Sequence, residues 1–329
     1  MEVPQIDANF ETNQKGLFAV GELGGLGLIK NAVNEGKLVI DKLRPKITKR
    51  DGILDLLIIG GGPAGLSAGL AAKEAGLDSL IIEQGSFADT IRRFPNRKIV
   101  MAEPVRIPMY GSLWISDAPK ETLLSVWETI IQSAKIPIRE NEKVVEVRRN
   151  GNDSFHIETS KGHYMSQHVV LAIGKRGSPR KLGVNGEDLP KVMYGLTDAA
   201  EYAGVNVLVV GGGDSAAEAA IGLARQKENH VTLSYRKKEF SRMRDKNRSA
   251  LEQCIQEGSV KFLPASQVAE VREQEVDLSC EDGRKVSLPN DHIFALLGGE
   301  SPNQFLQKIG ISLVTKEVSV ECSENDRGL

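Results

Sequence analysis

Residues 56–83 read LLIIGGGPAGLSAGLAAKEAGLDSLIIE, and residues 207–236 read VLVVGGGDSAAEAAIGLARQKENHVTLSYR. Each stretch opens on a short apolar run bounded by glycine, the pattern of a strand buried on both faces. A glycine triplet follows, then an Ala-rich helical stretch, then a second apolar run. Strand, turn, helix and strand in that order make a βαβ unit, whose two strands run parallel. Gly60 and Gly211 stand about one domain length apart. The 329-residue chain is about two domains long, so the two stretches are read as two α/β modules in one chain.

The turns carry the chemistry. Gly60, Gly62 and Gly65 match G-x-G-x-x-G, with Pro63 and Ala64 between the last two. The first glycine allows a tight turn, the second lets backbone approach a pyrophosphate, and the third lets helix pack on strand. The helix that follows offers unpaired N–H groups and partial positive charge to phosphate. Glu83 closes the second apolar run about 20 residues on, where an acid accepts hydrogen bonds from a ribose. Gly211, Gly213 and Ala216 match the G-x-G-x-x-A variant, with Asp214 and Ser215 inside it. Here the second strand ends without a carboxylate and runs into Tyr235, Arg236, Lys237 and Lys238, with Arg242 beyond. Cations at that position suit a ribose 2′-phosphate. One site with an acid and one with bases points to FAD and NADPH, and to Rossmann-like domains for both.

Composition removes other classes. The 42 basic and 44 acidic residues leave a formal charge of −2, which excludes a strongly basic nucleic-acid binder. Cys254, Cys280 and Cys322 are the three cysteines, with no C-x-x-C among them. That excludes a disulfide framework and a Cys-rich metal site. Neither a signal peptide nor a membrane-length apolar run is read, so a cytoplasmic protein with no membrane partner is expected.

Between the fingerprints, residues 143–149, 154–159 and 168–173 read as strands and 119–135 as an amphipathic helix. A further helix is expected near 247–257, and 44–52 as a polar linker. His156, His163, His168, His230 and His292 lack ligand spacing, and no metal is expected. Cys254 is read as a buried small hydrophobe, and Cys322 as a candidate reactive thiol in a polar tail.

The combined motifs resemble the thioredoxin-reductase-like two-dinucleotide flavoproteins. GGGPAG at 60–65 with Glu83 is similar to that family's FAD fingerprint, and GGGDSA at 211–216 followed by YRKKEF resembles its NADPH fingerprint. AIG at 172–174 resembles the family's Ala-Thr-Gly crossover, which assigns Gly174 to the flavin site. The nearest branches are those without an active-site dithiol: bacillithiol-disulfide-reductase-like proteins and ferredoxin–NADP reductases of the thioredoxin-reductase type. The bacillithiol branch often carries a Cys in the first glycine loop, where this chain has Ala64. A flavin monooxygenase would carry F-x-G-x-x-x-H between the modules, and none is present.

GLFAVGE at 16–22 resembles the family's G-x-F-A-x-G-D motif, with Gly21 in place and Glu22 for Asp. That motif holds the flavin ribityl chain and normally lies near the C-terminus. Residues 295–313 resemble the family's return to the FAD domain. A circular permutation accounts for this, and so does a piece of a longer tandem protein. The expected layout is 1–43 as the permuted FAD segment, 44–52 linker, 53–180 FAD domain, 181–298 NADPH domain and 299–329 the return. Gly24, Gly25 and Gly27 precede a helix at 28–43 whose start either faces the flavin pyrimidine edge or is plain close packing. Tyr110 and Trp114 lie where the family shapes the flavin face, or pack as ordinary aromatics.

The resemblance implies an NADPH-dependent FAD oxidoreductase, expected as a homodimer, passing electrons to an iron–sulfur protein or a small molecule without a protein dithiol. The competing expectation is a flavin-binding module that is not a complete enzyme. No protein acid or base is assigned.

Overall fold

Both glycine-bearing stretches fold as βαβ units in the computed structural model of the chain. The structure describes residues 2–24, 28–92, 99–101, 105–113, 118–151, 153–175, 177, 179–241, 243–299 and 301–316. Gly25, Gly27, Trp114, Arg242, Cys322 and the tail after residue 316 lie outside the described residues. The described parts of Met1–Arg92, Arg97–Lys175 and Ser301–Leu329 form one compact unit, and those of Arg176–Glu300 form another.

The first unit is built on a seven-stranded sheet among the described residues. Its parallel part is His163–Leu171, Leu54–Ile59, Ser79–Ile82 and Ile138–Arg139, in that spatial order. Leu56, Leu57 and Ile58 are fully buried, as a central parallel strand requires. Val144–Asn150 and Ser154–Thr159 extend the sheet as an antiparallel meander. Strand His163–Leu171 begins five residues earlier than expected from sequence, because its outer half alternates with polar side chains. The helix Lys120–Ala134 lies within the range expected for it.

The N-terminal segment belongs to this sheet. Ser154–Thr159 pairs with His163–Leu171 only as far as Ser166. Leu17–Ala19 takes the same edge beyond it, parallel, with Leu17 opposite Val169 and Ala19 opposite Leu171. Leu17, Phe18 and Ala19 are buried. A 3-10 turn, Gly21–Gly24, leads toward the helix Ile29–Leu43. That helix buries Ala32, Val33, Gly36, Val39, Ile40 and Leu43, an apolar stripe at helical spacing. The stripe lies on the first fingerprint helix, Pro63–Glu74. A Cβ at Gly36 would sit 2.2 Å from the Ala64 carbonyl oxygen, and the Ser67 hydroxyl donates to Val33 O at 2.6 Å. Residues 44–52 begin with a 3-10 turn, Arg44–Lys46, rather than as a plain linker.

After the second unit, the helix Asn303–Lys308 and strand Leu313–Thr315 return to the first. The strand pairs antiparallel with Glu2–Pro4. Asn13 and Gln14 side chains both donate to Gly310 O, and Leu306 and Ile311 join the core formed with Leu17 and Leu171.

The second unit holds a five-stranded parallel sheet in the order Val192–Met193, His292–Ala295, Asn206–Val210, His230–Tyr235, Val260–Pro264. Its fingerprint helix is Asp214–Ala224, and the later helix is Asp245–Gln256. An antiparallel sheet of Ser266–Val271, Glu275–Cys280 and Lys285–Pro289 completes it. Cys254 is half-buried against this unit's core rather than fully buried. No described helix is long and apolar enough to cross a membrane.

Candidate functional site

In each unit the first fingerprint glycine sits at the same point of the sheet. Gly60 N donates to Ile82 O at 2.8 Å, and Ala172 N donates to Ile59 O at 2.7 Å. Gly211 N donates to Ser234 O at 3.0 Å, and Leu296 N donates to Val210 O at 2.8 Å. A Cβ at Gly60 would lie 2.4 Å from the Ala172 carbonyl oxygen, and one at Gly211 would lie 2.5 Å from that of Leu296. Both glycines have positive φ, +108° and +154°. Chain crowding and backbone angle therefore both call for glycine. Gly65 approaches Gly60 so closely that a Cβ would stand 1.8 Å from its carbonyl oxygen, while Ala216 fills the matching place in the second unit.

The middle glycines differ from these in kind. A Cβ on Gly62 or Gly213 would meet nothing within 4 Å. Each is the N-cap of its fingerprint helix, with no side-chain cap. Pro63 opens the first helix, where a missing N–H costs nothing. Bare backbone facing open space at an uncapped helix start is a cradle shaped for phosphate.

Glu83 ends strand Ser79–Ile82 and turns back onto the first cradle. Its Oε2 accepts the Gly61 N–H at 2.6 Å and its Oε1 the Gly85 N–H at 2.8 Å. Burial raises its pKa, and the two N–H donors oppose that rise. Each carboxylate oxygen has a further lone pair for a ribose hydroxyl. In the second unit Tyr235 lies under the loop, so that a Cβ at Gly212 would strike its ring at 2.2 Å. Beyond it Arg236 and Lys237 are exposed, and Lys237 Nζ reaches the Ser241 hydroxyl at 3.5 Å. Ser215 is exposed on the first turn of the helix.

The GLFAVGE turn meets the first cradle directly. Gly21 has φ +77°, and a Cβ there would stand 2.9 Å from that of Ala64. Its N–H donates to Glu35 Oε2 at 2.7 Å. Burial raises the pKa of Glu35 against that bond. Glu22 is half-buried in the same turn. Gly174, at φ +64°, follows the strand end at Leu171 with open space at its Cα. Tyr110 is exposed in a turn after Val105–Ile107. Sequence reasoning missed Glu35 and Gly36. Gly36 had a signal, since glycine inside a helix is unfavourable unless something approaches closely. His156 and His163 stack with ring centroids 5.6 Å apart, and among the described residues no three ligating side chains cluster for a metal.

The family model described as pyridine nucleotide-disulphide oxidoreductase matches residues 57–326. The chain belongs to that family. Bacilliredoxin reductase Bdr of Bacillus subtilis is 30% identical over 261 residues, 78% of this chain and 80% of the relative. A ferredoxin–NADP reductase of Ignicoccus hospitalis is 29% identical over 282 residues, 81% and 84% of the two chains. Among solved structures, bacillithiol disulfide reductase Bdr of Staphylococcus aureus matches with a TM-score of 0.61 and 27% identity, over 80% of this chain and 82% of that one. The protein is accordingly a pyridine-nucleotide-dependent flavoprotein oxidoreductase of α/β fold, with FAD and NADPH as cofactors.

The residues present fit both cofactors. Two uncapped helix starts face space that a Cβ would fill. One is flanked by a buried carboxylate with acceptor capacity to spare, the other by exposed cations.

Proposed function

We propose that this chain takes electrons from NADPH and passes them through FAD to a separate acceptor, an iron–sulfur protein or a small molecule, with no dithiol of its own in the relay. The observation that carries the reading is the pair of fingerprint loops in one backbone register, the first closed by Glu83 and the second by Arg236 and Lys237. Bound nicotinamide and flavin supply the hydride chemistry. The Gly60–Gly65 loop and the start of helix Pro63–Glu74 hold the FAD pyrophosphate, and Glu83 its ribose. The turn at Gly21 and Glu22 holds the ribityl chain, and Gly174 lies on the flavin side of the strand end. Gly211, Gly213, Ser215 and Ala216 form the NADPH cradle, in the turn and helix start that also carry Asp214, with Arg236 and Lys237 at the 2′-phosphate.

The dithiol-free relay is supported by cysteine count and spacing: three cysteines and no C-x-x-C. The displaced ribityl turn is read as a circular permutation. Support comes from Leu17–Ala19 beside His163–Leu171 and from the Gly36–Ala64 approach.

An anaerobic screen under NADPH tests the reading, with a ferredoxin, a low-molecular-weight disulfide and an artificial quinone as acceptors. Turnover with at least one, retained in a triple Cys→Ser variant, is expected. Tight FAD with no turnover on any of them makes the chain a flavin-binding module instead.

A further inference from the structure

The cations of the second fingerprint lie on a segment whose far end is held by the fingerprint itself. Asp214 is the first residue of its helix. Its Oδ1 accepts the backbone N–H of Arg244 and a side-chain N–H of Asn247, both at 2.9 Å. Asn247 also donates to Glu218 Oε1 at 3.2 Å, one turn further along the same helix. Arg244 is the N-cap of the helix Asp245–Gln256 and has no side-chain cap bond. One carboxylate thus joins the start of one helix to the start of the other.

The other moorings of the segment are apolar contacts, a main-chain bond and an exposed ion pair between Lys238 and Glu281 at 3.4 Å. Lys237 O accepts the Ala265 N–H at 3.1 Å. The Phe240 ring stacks on Tyr235, with centroids 5.6 Å apart, and tilts against Phe262 at 4.8 Å. Met243 is buried. Arg236, Lys237 and Lys238 face solvent between these points. A carboxylate at the mouth of a phosphate cradle repels an anionic ligand. Contact with phosphate is therefore a poor use of Asp214, whereas its bonds to Arg244 and Asn247 are already made.

We infer that Asp214 is a positioning residue for cofactor choice: it fixes the end of the cation-bearing segment against the glycine loop, in the register that reads a 2′-phosphate. The inference rests on the NADPH reading of this site. A segment held in place before binding loses less freedom when the ligand arrives. An adenosine ligand without the 2′-phosphate does not draw on the cations and gains little from the anchor.

The full-length protein is titrated calorimetrically with 2′,5′-ADP and with 5′-AMP, as wild type, Asp214→Asn and Asp214→Ala. Asparagine keeps an acceptor at Oδ1 and alanine does not. Asp214→Ala should reduce the preference for 2′,5′-ADP about tenfold, the worth of roughly one lost anchoring bond. Asp214→Asn should stay within about twofold of wild type by the same reasoning. Hydrogen exchange at the Arg244 amide should speed up in Asp214→Ala. Should Asp214→Ala fail to fold, Asn247→Ala removes one of the two donors and should show a smaller loss in the same direction. A wild-type preference that the alanine variant preserves, or equal weakening of both ligands, overturns the inference alone. A wild type that binds both ligands alike overturns the NADPH reading and the inference with it.

Discussion

The amide N–H of Gly61 donates to Glu83 Oε2 at 2.6 Å, so the loop that opens the first fingerprint is tied to the acid that ends it. The bond spans the whole βαβ unit and fixes the carboxylate beside the phosphate cradle. Glu83→Gln keeps one acceptor oxygen but turns the other into a donor facing an N–H. FAD affinity is expected to fall by about 1–3 kcal/mol, the cost of an unsatisfied buried partner. Flavin release on dilution, wild type against variant, measures it, and unchanged retention would remove Glu83 from the ribose site.

The glycines of each fingerprint separate into two kinds. Gly62→Ala and Gly213→Ala place a methyl in open space at ordinary backbone angles, so both should fold with melting temperatures near wild type. Gly62→Ala should lose FAD, and Gly213→Ala should keep FAD and lose NADPH. Gly60→Ala puts a methyl 2.4 Å from a carbonyl oxygen and should destabilise the protein itself, by about 1–3 kcal/mol or more. Thermal melts with a flavin-retention assay distinguish the two patterns.

Gly36→Ala tests the join between the N-terminal helix and the first fingerprint helix. The added methyl would press on the Ala64 carbonyl at 2.2 Å. The helices must separate, at a cost of roughly 1–3 kcal/mol, and the Gly21 turn moves with them. Lower stability accompanied by lost flavin is expected. Lower stability with flavin binding intact would place the N-terminal helix outside the site.

Glu35 gives a pH dependence. Burial holds its carboxyl above the ordinary glutamate range. In the interval between the ordinary and the raised value the folded protein binds more protons than the unfolded chain. Its contribution to stability is therefore greatest below about pH 4.3 and declines as pH rises through the raised value. Glu35→Gln carries no such titration. Its melting temperature, followed between about pH 4 and 7, should lack that part of the decline; a profile parallel to wild type would contradict the assignment.

Arg236 is proposed to sit at the ribose 2′-phosphate, which predicts a cofactor-selective loss. Arg236→Ala should slow flavin reduction by NADPH much more than by NADH, since only the 2′-phosphate uses the guanidinium. Parallel rates in the variant and wild type would move the 2′-phosphate elsewhere.

The βαβ units, their glycines and Glu83 were legible because local rules dictate them: apolar runs, turn glycines and an acid at a strand end. The partner of Leu17–Ala19 was not legible. Its place beside Val169 to Leu171 depends on where Ser154–Thr159 stops pairing, and no pattern near residue 17 records that. The bond from Gly21 to Glu35 was equally hidden, because a glutamate on a helix reads as a solvent-facing residue. The inner half of His163–Leu171 was visible as an apolar run, whereas His163, Ser166 and Gln167 masked the outer half. Asp214 was legible as part of a fingerprint, yet its bonds to Arg244 and Asn247 come from tertiary folding of a segment whose sequence shows only charge.

If one chain binds both cofactors as proposed, NADPH should reduce that chain's own flavin. Anaerobic titration of the FAD-loaded protein with NADPH, followed by flavin absorbance, tests it most directly. Bleaching complete at about one NADPH per flavin, and slower with NADH, is the result expected. Flavin that stays oxidised under excess NADPH would mean that electrons do not pass from NADPH to this flavin.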